Sequence, residues 1–372
     1  TQRRLRDGGL INFTYDNLSR ATLMDAPSGT SDVTSAYDNF SRLTQTAYVG
    51  THTLSFAYDQ LSRNTSATRV ANGATHTISY QYDLAGRRTR ITWPEGDLYA
   101  QYDYDLANAV TAIRENGAAS GAGVLATYTY DNLGRRTSIS RAGGAGAATT
   151  YSFDAASRLS SLQQNLSGTT YDQTVGFTYN AAGQALTRTG VNSQYDWTQP
   201  AISAVSYTPN GRNQYANVGG SNFAYDARGN LTATGSATYG YDAFNRLTSA
   251  GTATLSYDPA GRLYQTTNTG GAVTARFLYD GLDAIAEYSG TNVLLRRYVH
   301  GPGMDEPLVR YEGAGVSDRR WFIQDQLGSV IAETNSAGAI VGAPNTYDDY
   351  GQPGAGNAGR FQYTGHMWIG EA

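Results

Sequence analysis

Tyr15-Asp16-Asn17-Leu18-Ser19-Arg20 returns as Tyr37-Asp38-Asn39-Phe40-Ser41-Arg42 and as Tyr58-Asp59-Gln60-Leu61-Ser62-Arg63, and this recurrence decides how the chain is read. The phrase comes again as Tyr82-Asp83-Leu84-Ala85-Gly86-Arg87 and as Tyr130-Asp131-Asn132-Leu133-Gly134-Arg135. Looser copies start at Tyr104, Phe153, Tyr179, Tyr207, Tyr225 and Tyr279, and at Tyr241-Asp242 with Arg246 and Tyr257-Asp258 with Gly261 and Arg262. The 13 units lie 16 to 28 residues apart; Asp follows the aromatic in 11 of them and Arg stands five positions after it in nine. Self-similarity at such a period marks a repeat architecture.

Each unit reads as strand, turn, strand. Before the turn, apolar residues alternate (Leu54, Phe56, Tyr58; Ile78, Tyr80, Tyr82; Val175, Phe177, Tyr179), the period of a half-buried β-strand. The Asp carboxylate can accept from the amide two residues on, forming an Asx-type turn. Gly86, Gly134, Gly183, Gly211, Gly229 and Gly261, with Asn245, stand four after the aromatic, where a hairpin loop calls for positive φ. Leu159, Leu231, Leu247 and Leu263 then begin return strands. The spacing predicts an all-β chain of tandem hairpins in a long antiparallel sheet that rolls or spirals. Helix is expected to be scarce, and Glu115 to Val124 and Ala142 to Thr149 are expected to be long hairpin loops.

Composition narrows the chemistry. All 27 cationic side chains are Arg, so no lysine is present for a Schiff base or a phosphate loop, and with no Cys there is no thiolate nucleophile, thiolate zinc site or disulfide in these 372 residues. The net charge of −4 comes with scattered arginines, not the basic stripe of a nucleic-acid footprint. No apolar run reaches the roughly 18 residues of a transmembrane helix. The chain opens at Thr1 without Met and ends at Ala372, so it is expected to be a piece of a longer polypeptide.

Past about Asn292 the regular phrase fades. Arg297-Tyr298-Val299-His300-Gly301-Pro302-Gly303-Met304-Asp305-Glu306-Pro307 appears, then Asp325-Gln326-Leu327-Gly328-Ser329-Val330, then Arg360-Phe361-Gln362-Tyr363-Thr364-Gly365. Together with the tandem Tyr-Asp phrase, these segments resemble the Rhs/YD-repeat proteins of bacteria, related in repeat architecture to teneurins and to the shell components of Tc toxins. The resemblance implies a hollow β-cocoon of which these strands form part. Residues 1–290 would be the repeat array and 291–372 the start of the core region, with His300, Gly301, Pro302, Asp305, Glu306, Pro307, Asp325, Leu327, Gly328 and Ser329 as its signature. In toxin members such a shell encloses a C-terminal payload released by aspartyl self-cleavage. Gln326 replaces the usual His of that segment, and the cleavage aspartates would lie beyond Ala372, so no catalytic residue is carried over.

Each sharper reading of the residues competes with a plainer one. His52 and His76 fall where neighbouring strands could bring them face to face as a metal pair, but His52, His76, His300 and His366 show no ligand spacing, so no cofactor is expected. A repeated Asp suits a turn better than a glycosidase pair, because catalytic carboxylates should break a repeat. The turns also lack the dense oxygen set of a calcium loop. The Arg at position five can bind an anion, return to the turn Asp or stack on a neighbouring Tyr, and the latter two need no ligand. The tyrosine rows read as the packed face of the sheet, though Tyr faces also dock sugars. The expectation is a non-catalytic, secreted or surface shell segment whose partner is the rest of its own polypeptide or copies of itself. An extracellular adhesive protein that binds glycans is the alternative.

Overall fold

The computed structural model describes residues 1–27, 29–198 and 204–371. Among them lie 31 β-strands and four single 3-10 turns, with no α-helix. The strands form antiparallel sheets of 17 and 14 members, in which sequential strands pair as neighbours. The alternation read from the sequence sets the registers. In the first sheet Tyr128 faces Ile139, and Leu162 lies between Tyr151 and Val175, so one face of each hairpin is apolar.

The chain packs as two units. One comprises Thr1–Ser79, Ala201–Val293 and Gly370–Ala372. Its core gathers Ile11, Leu54, Ile78, Leu255, Phe277 and Tyr288. The other comprises Tyr80–Pro200 and Leu294–Ile369. It buries Trp93, Ile113, Tyr128, Ile139, Trp321 and Phe322. In this second unit the two expected long loops carry the 3-10 turns Gly121–Gly123 and Ala142–Gly144, and they touch: a Cβ on Gly143 would lie 2.5 Å from the Gly121 carbonyl oxygen.

The loss of the regular phrase toward the C-terminus has a packing cause. Strands Val273–Asp280, Leu294–His300 and Arg319–Gln324 are buried over runs of consecutive residues rather than on alternate positions. A strand covered on both faces has no solvent side to require polar residues. Thus Trp321, Phe322 and Ile323 are all buried. Phe361 lies edge-on to Tyr298, His300 and Phe322 at centroid distances of 4.9, 5.6 and 5.8 Å.

Candidate functional site

The recurring residues build one turn and one lateral latch. In the first unit of the repeat, the Asp16 amide donates to the Arg20 carbonyl and the Ser19 amide to the Asp16 carbonyl, both at 3.0 Å. The Asp16 carboxylate accepts from the Leu18 and Arg20 amides at 2.9 and 3.0 Å. Its second oxygen accepts from Arg20 Nε at 2.7 Å. Register slips between Thr14 and Tyr15, as in a three-residue hairpin loop whose last residue is left-handed and forms a bulge. The Arg–carboxylate pair recurs at 2.6–2.8 Å for Asp38, Asp59, Asp83, Asp131, Asp154, Asp242 and Asp258, with Arg42, Arg63, Arg87, Arg135, Arg158, Arg246 and Arg262. The side-chain hydrogen bond from Arg20, joined by the backbone amides, holds Asp16 below the usual carboxylate range, and Arg135 does the same for Asp131.

The same Arg reaches the next hairpin. Arg20 lies 4.8 Å above the Tyr37 ring and donates to the Asp38 carbonyl at 2.8 Å, while Tyr37 donates to the Ala21 carbonyl at 3.1 Å. Arg42 with Tyr58 and Asp59, and Arg87 with Tyr104 and Asp105, repeat this arrangement. Arg262 with Tyr279 does so too, except that Arg262 donates to the Gly281 carbonyl, whereas Arg246 stacks on Tyr257 but reaches Tyr48 Oη at 3.4 Å, and Tyr48 in its place donates to the Asp258 carbonyl at 2.9 Å. The tyrosine hydroxyl thereby satisfies the carbonyl just past the neighbour's turn, which explains Tyr rather than Phe in this slot. Two exceptions separate turn from latch. Ala109 replaces Arg, yet its amide still donates to Asp105 at 2.9 Å and Tyr130 still donates to the Val110 carbonyl at 2.8 Å. Phe153 takes the cation of Arg135 at 4.6 Å but has no hydroxyl to donate. Tyr15, in the first copy, is 43% exposed.

The fourth position is left-handed in nearly every turn. Gly86, Gly134 and Gly261 have φ of 83°, 74° and 85°. Ser19, Ser41, Ser62 and Ser157 adopt φ of 61–64° in the equivalent place, which the sequence reading does not foresee. Gly211 departs from expectation: the left-handed residue is Asn213 at φ 58°, and the turn closes from Asn210 to Gln214. In that unit Pro209 fills the aromatic slot and Tyr207 sits two residues too early. The copy at Tyr279 also departs, since Asp280 remains in its strand opposite Asp283 across a two-residue turn. Conversely, the same turn persists where the phrase fades, at Asp325–Ser329, Asn335–Ala339 and Asp348–Gln352. The Asx-x-x-Gly spacing in each of these was the available signal.

The core-region segments meet within the second unit. His300 pairs with Pro307 at the mouth of a loop in which the Gly301 amide donates to the Glu306 carbonyl at 2.8 Å. The Glu306 carboxylate accepts from the Gly303 amide at 2.7 Å and from Arg136 at 2.5 and 3.1 Å. A Cβ on Gly301 or Gly303 would lie 2.6 Å from that carboxyl group, so both glycines are required for it to fold inward, while Pro302 stays exposed. Asp325 accepts from the Leu327 and Ser329 amides, and Gly328 has φ 86°. Burial pushes the Asp325 carboxyl up from its ordinary value. The Ser329 hydroxyl accepts from the Thr364 amide at 3.1 Å, and the Val330 amide donates to the Gln362 carbonyl at 3.0 Å. A Cβ on Gly365 would come within 2.0 Å of the Asp305 carbonyl oxygen. These residues lock three loops to one another.

The His52 and His76 side chains do not face each other. His52 and His76 lie on strands His52–Tyr58 and Ala74–Tyr82, separated by strand Asn64–Ala71, which pairs with both. His76 Nδ1 sits 3.0 Å from Arg69 Nη2, and the His52 ring packs on Tyr264 at 4.5 Å. Among the described residues no three His, Asp or Glu side chains converge as a metal site.

The teneurin YD-shell family model matches residues 3–121 and 123–355, and the chain belongs to that family. No curated protein matches the sequence. Among solved structures, TcdB2-TccC3 without its hypervariable C-terminal region is similar at 14% identity and TM-score 0.52, with 98% of this chain and 25% of that chain covered. TcdB2-TccC3-TEV is similar at 13% identity and TM-score 0.45, over 97% of this chain and 26% of that one. A Photorhabdus luminescens Tc holotoxin pore with a TccC3 mutation gives 12% and 0.45, over 100% and 27%. The chain spans about a quarter of the length of these neighbours.

Proposed function

We propose that this member of the teneurin YD-shell family is a non-catalytic wall segment of a larger secreted bacterial shell. That shell encloses or displays a C-terminal effector carried by the same polypeptide. Residues 1–290 supply the repeat array and 291–372 begin the core region. One observation carries the reading: the side chains that repeat most faithfully are committed to their own turn and to the adjoining hairpin. The turn Asp is held by its own Arg in most copies, and Arg20, Arg42, Arg87, Arg158 and Arg262 also engage the next hairpin's ring and a carbonyl there. Such a constellation ties each hairpin to the next and supports a continuous wall. The structural neighbour described without a hypervariable C-terminal region gives a precedent for variable sequence in a protein of this fold.

The test is the intact mass of the products made by the full parent gene, expressed through its natural C-terminus. Two discrete species, the smaller composed of sequence beyond the core region, are expected from a self-cleaving shell and cargo. A single uncleaved species would refute the cargo reading and favour a structural or adhesive protein.

A further inference from the structure

In the unit that contains Leu294–Ile369, two short loops line a half-open cleft of about 330 Å³, at the small end of the range for ligand sites. One loop is closed by the bridge between Tyr347 and Pro353, the other by the bridge between Phe361 and Met367. Tyr347, Pro353, Tyr363, Met367 and Trp368 make the walls, and the Tyr347 and Tyr363 ring centroids lie 5.6 Å apart at an interplanar angle of 53°. Gly351 admits the Tyr363 ring against its backbone, since a Cβ there would lie 2.5 Å from a ring carbon. Trp368 is 49% exposed, so a large ring is left open to a partner.

Three features restrict what fits. First, the other polar side chains of the lining are committed or closed off. The Tyr347 hydroxyl donates to the Val330 carbonyl at 2.9 Å, and the Thr364 hydroxyl lies 2.7 Å from both the Tyr363 carbonyl and His366 Nδ1. Gln362 Nε2 donates to the Gly359 carbonyl at 3.2 Å, and its Oε1, though unpartnered, is sealed from solvent. Second, the groups left over can donate: Trp368 Nε1–H and the Tyr363 O–H have no hydrogen-bond partner among the described residues. Third, the loop that carries Tyr347 continues into Asp348 and Asp349, and Asp349 is exposed. A ligand rich in N–H or O–H groups would ask for acceptors that these walls do not offer. A run of prolines asks for none, because it presents carbonyls and no amide N–H, and its rings pack on aromatic walls. In the polyproline II helix those carbonyls make no internal hydrogen bond and stay available to outside donors.

We propose that this cleft docks a proline-rich segment of a protein partner in the polyproline II conformation. Trp368 and Tyr363 donate to its carbonyls, and Asp349 meets an arginine that flanks the prolines. The site is independent of the shell reading, since a wall segment can carry a docking cleft whatever it encloses. The test uses the full 372-residue chain and a fluorescein-labelled proline decapeptide ending in arginine. Fluorescence anisotropy is expected to show saturable binding with Kd below about 1 mM. Trp368→Phe and Tyr363→Phe each keep a ring and remove one donor. With melting temperatures unchanged, each should weaken binding about threefold to tenfold, the cost of one hydrogen bond. Asp349→Asn should weaken the arginine peptide and leave an all-proline peptide as it was; equal binding of both peptides to this variant and to wild type would overturn the arginine contact. Three results would each overturn the whole proposal: no saturable binding, equal affinity of wild type and both ring variants, or equal binding of an alanine–glycine peptide with the same arginine. So would a dimer in sedimentation that Trp368→Ala dissociates, which would assign the cleft to a second copy.

Discussion

Replacing Glu115 and Arg319 singly and together tests how the second unit is held. Glu115 is 6% exposed and takes Arg319 Nε and Nη2 at 2.7 and 2.6 Å, while Tyr311, fully buried, donates to the same carboxylate at 2.7 Å. Hydrogen bonding to Glu115 raises the Arg319 pKa, outweighing the lowering by burial. Two positions further on, Trp321 Nε1 donates to the Leu125 carbonyl at 2.8 Å, so the pair braces the same contact from its edge. Removing one member of a buried pair costs about 3–5 kcal/mol because the other charge is stranded. The Arg319 side chain is 19% exposed, and water access there lowers the expected figure to about 2–3 kcal/mol for Arg319→Met. Glu115→Leu should cost a similar amount, plus about 1 kcal/mol for the orphaned Tyr311 hydroxyl. The double variant strands no charge and should cost only about 1–2 kcal/mol, giving a coupling of at least about 2 kcal/mol. Urea unfolding followed by tryptophan fluorescence measures each value. Additivity of the two single changes to within about 0.5 kcal/mol would refute the reasoning.

The tyrosine hydroxyl can be removed and restored: Tyr104→Phe should cost about 1 kcal/mol and Phe153→Tyr gain about as much, read as opposite shifts in denaturation midpoint. At Gly134, φ 74° disfavours a branched side chain, so Gly134→Val should cost about 1–3 kcal/mol and lower the melting temperature well below that of Asn132→Ala; equal values would defeat the left-handed assignment. Burial lowers the pKa of His52 and His76 from 6.5 to about 4. The unfolded chain therefore takes up protons between those values that the folded chain does not, and stability falls as pH drops from 6.5 toward 4, by about 3 kcal/mol at most per histidine. The turn carboxylates run the other way in timing: Asp16 and Asp131, held low by Arg20 and Arg135, keep their contribution until pH falls below the ordinary carboxylate range. Melting temperatures at pH 7.5 and 4.5 should thus converge in a His52→Gln/His76→Gln variant, and an unchanged pH dependence there would sink the assignment.

Much of the local structure is legible in the sequence because it is enforced within six residues. An Asp that caps its own turn, a left-handed residue three positions later and a period-two apolar run each act locally, so Asp131, Gly134 and Ile139 identify a hairpin without help from elsewhere. Where the local signal was ambiguous, neighbours decided. Pro209 rather than Tyr207 closes its strand because Asn210, not Thr208, offers the capping carbonyl. Serine tolerates φ of 63° at Ser41 while its hydroxyl accepts from Arg20 of the preceding hairpin at 3.3 Å.

Other facts belong to the tertiary structure alone. That each Arg serves two hairpins follows from strand adjacency, which fixes the 4.8 Å approach of Arg42 to Tyr58 across 16 positions of sequence. The docking of Glu306 on Arg136 and of Glu115 on Arg319 joins residues 170 and 204 positions apart, where no periodicity can reach. Sequence determines what recurs, because a repeat must satisfy its own backbone unit by unit. Only the packed chain determines which unrepeated residues meet, because burial on both faces removes the polar–apolar alternation that marks a strand's sides.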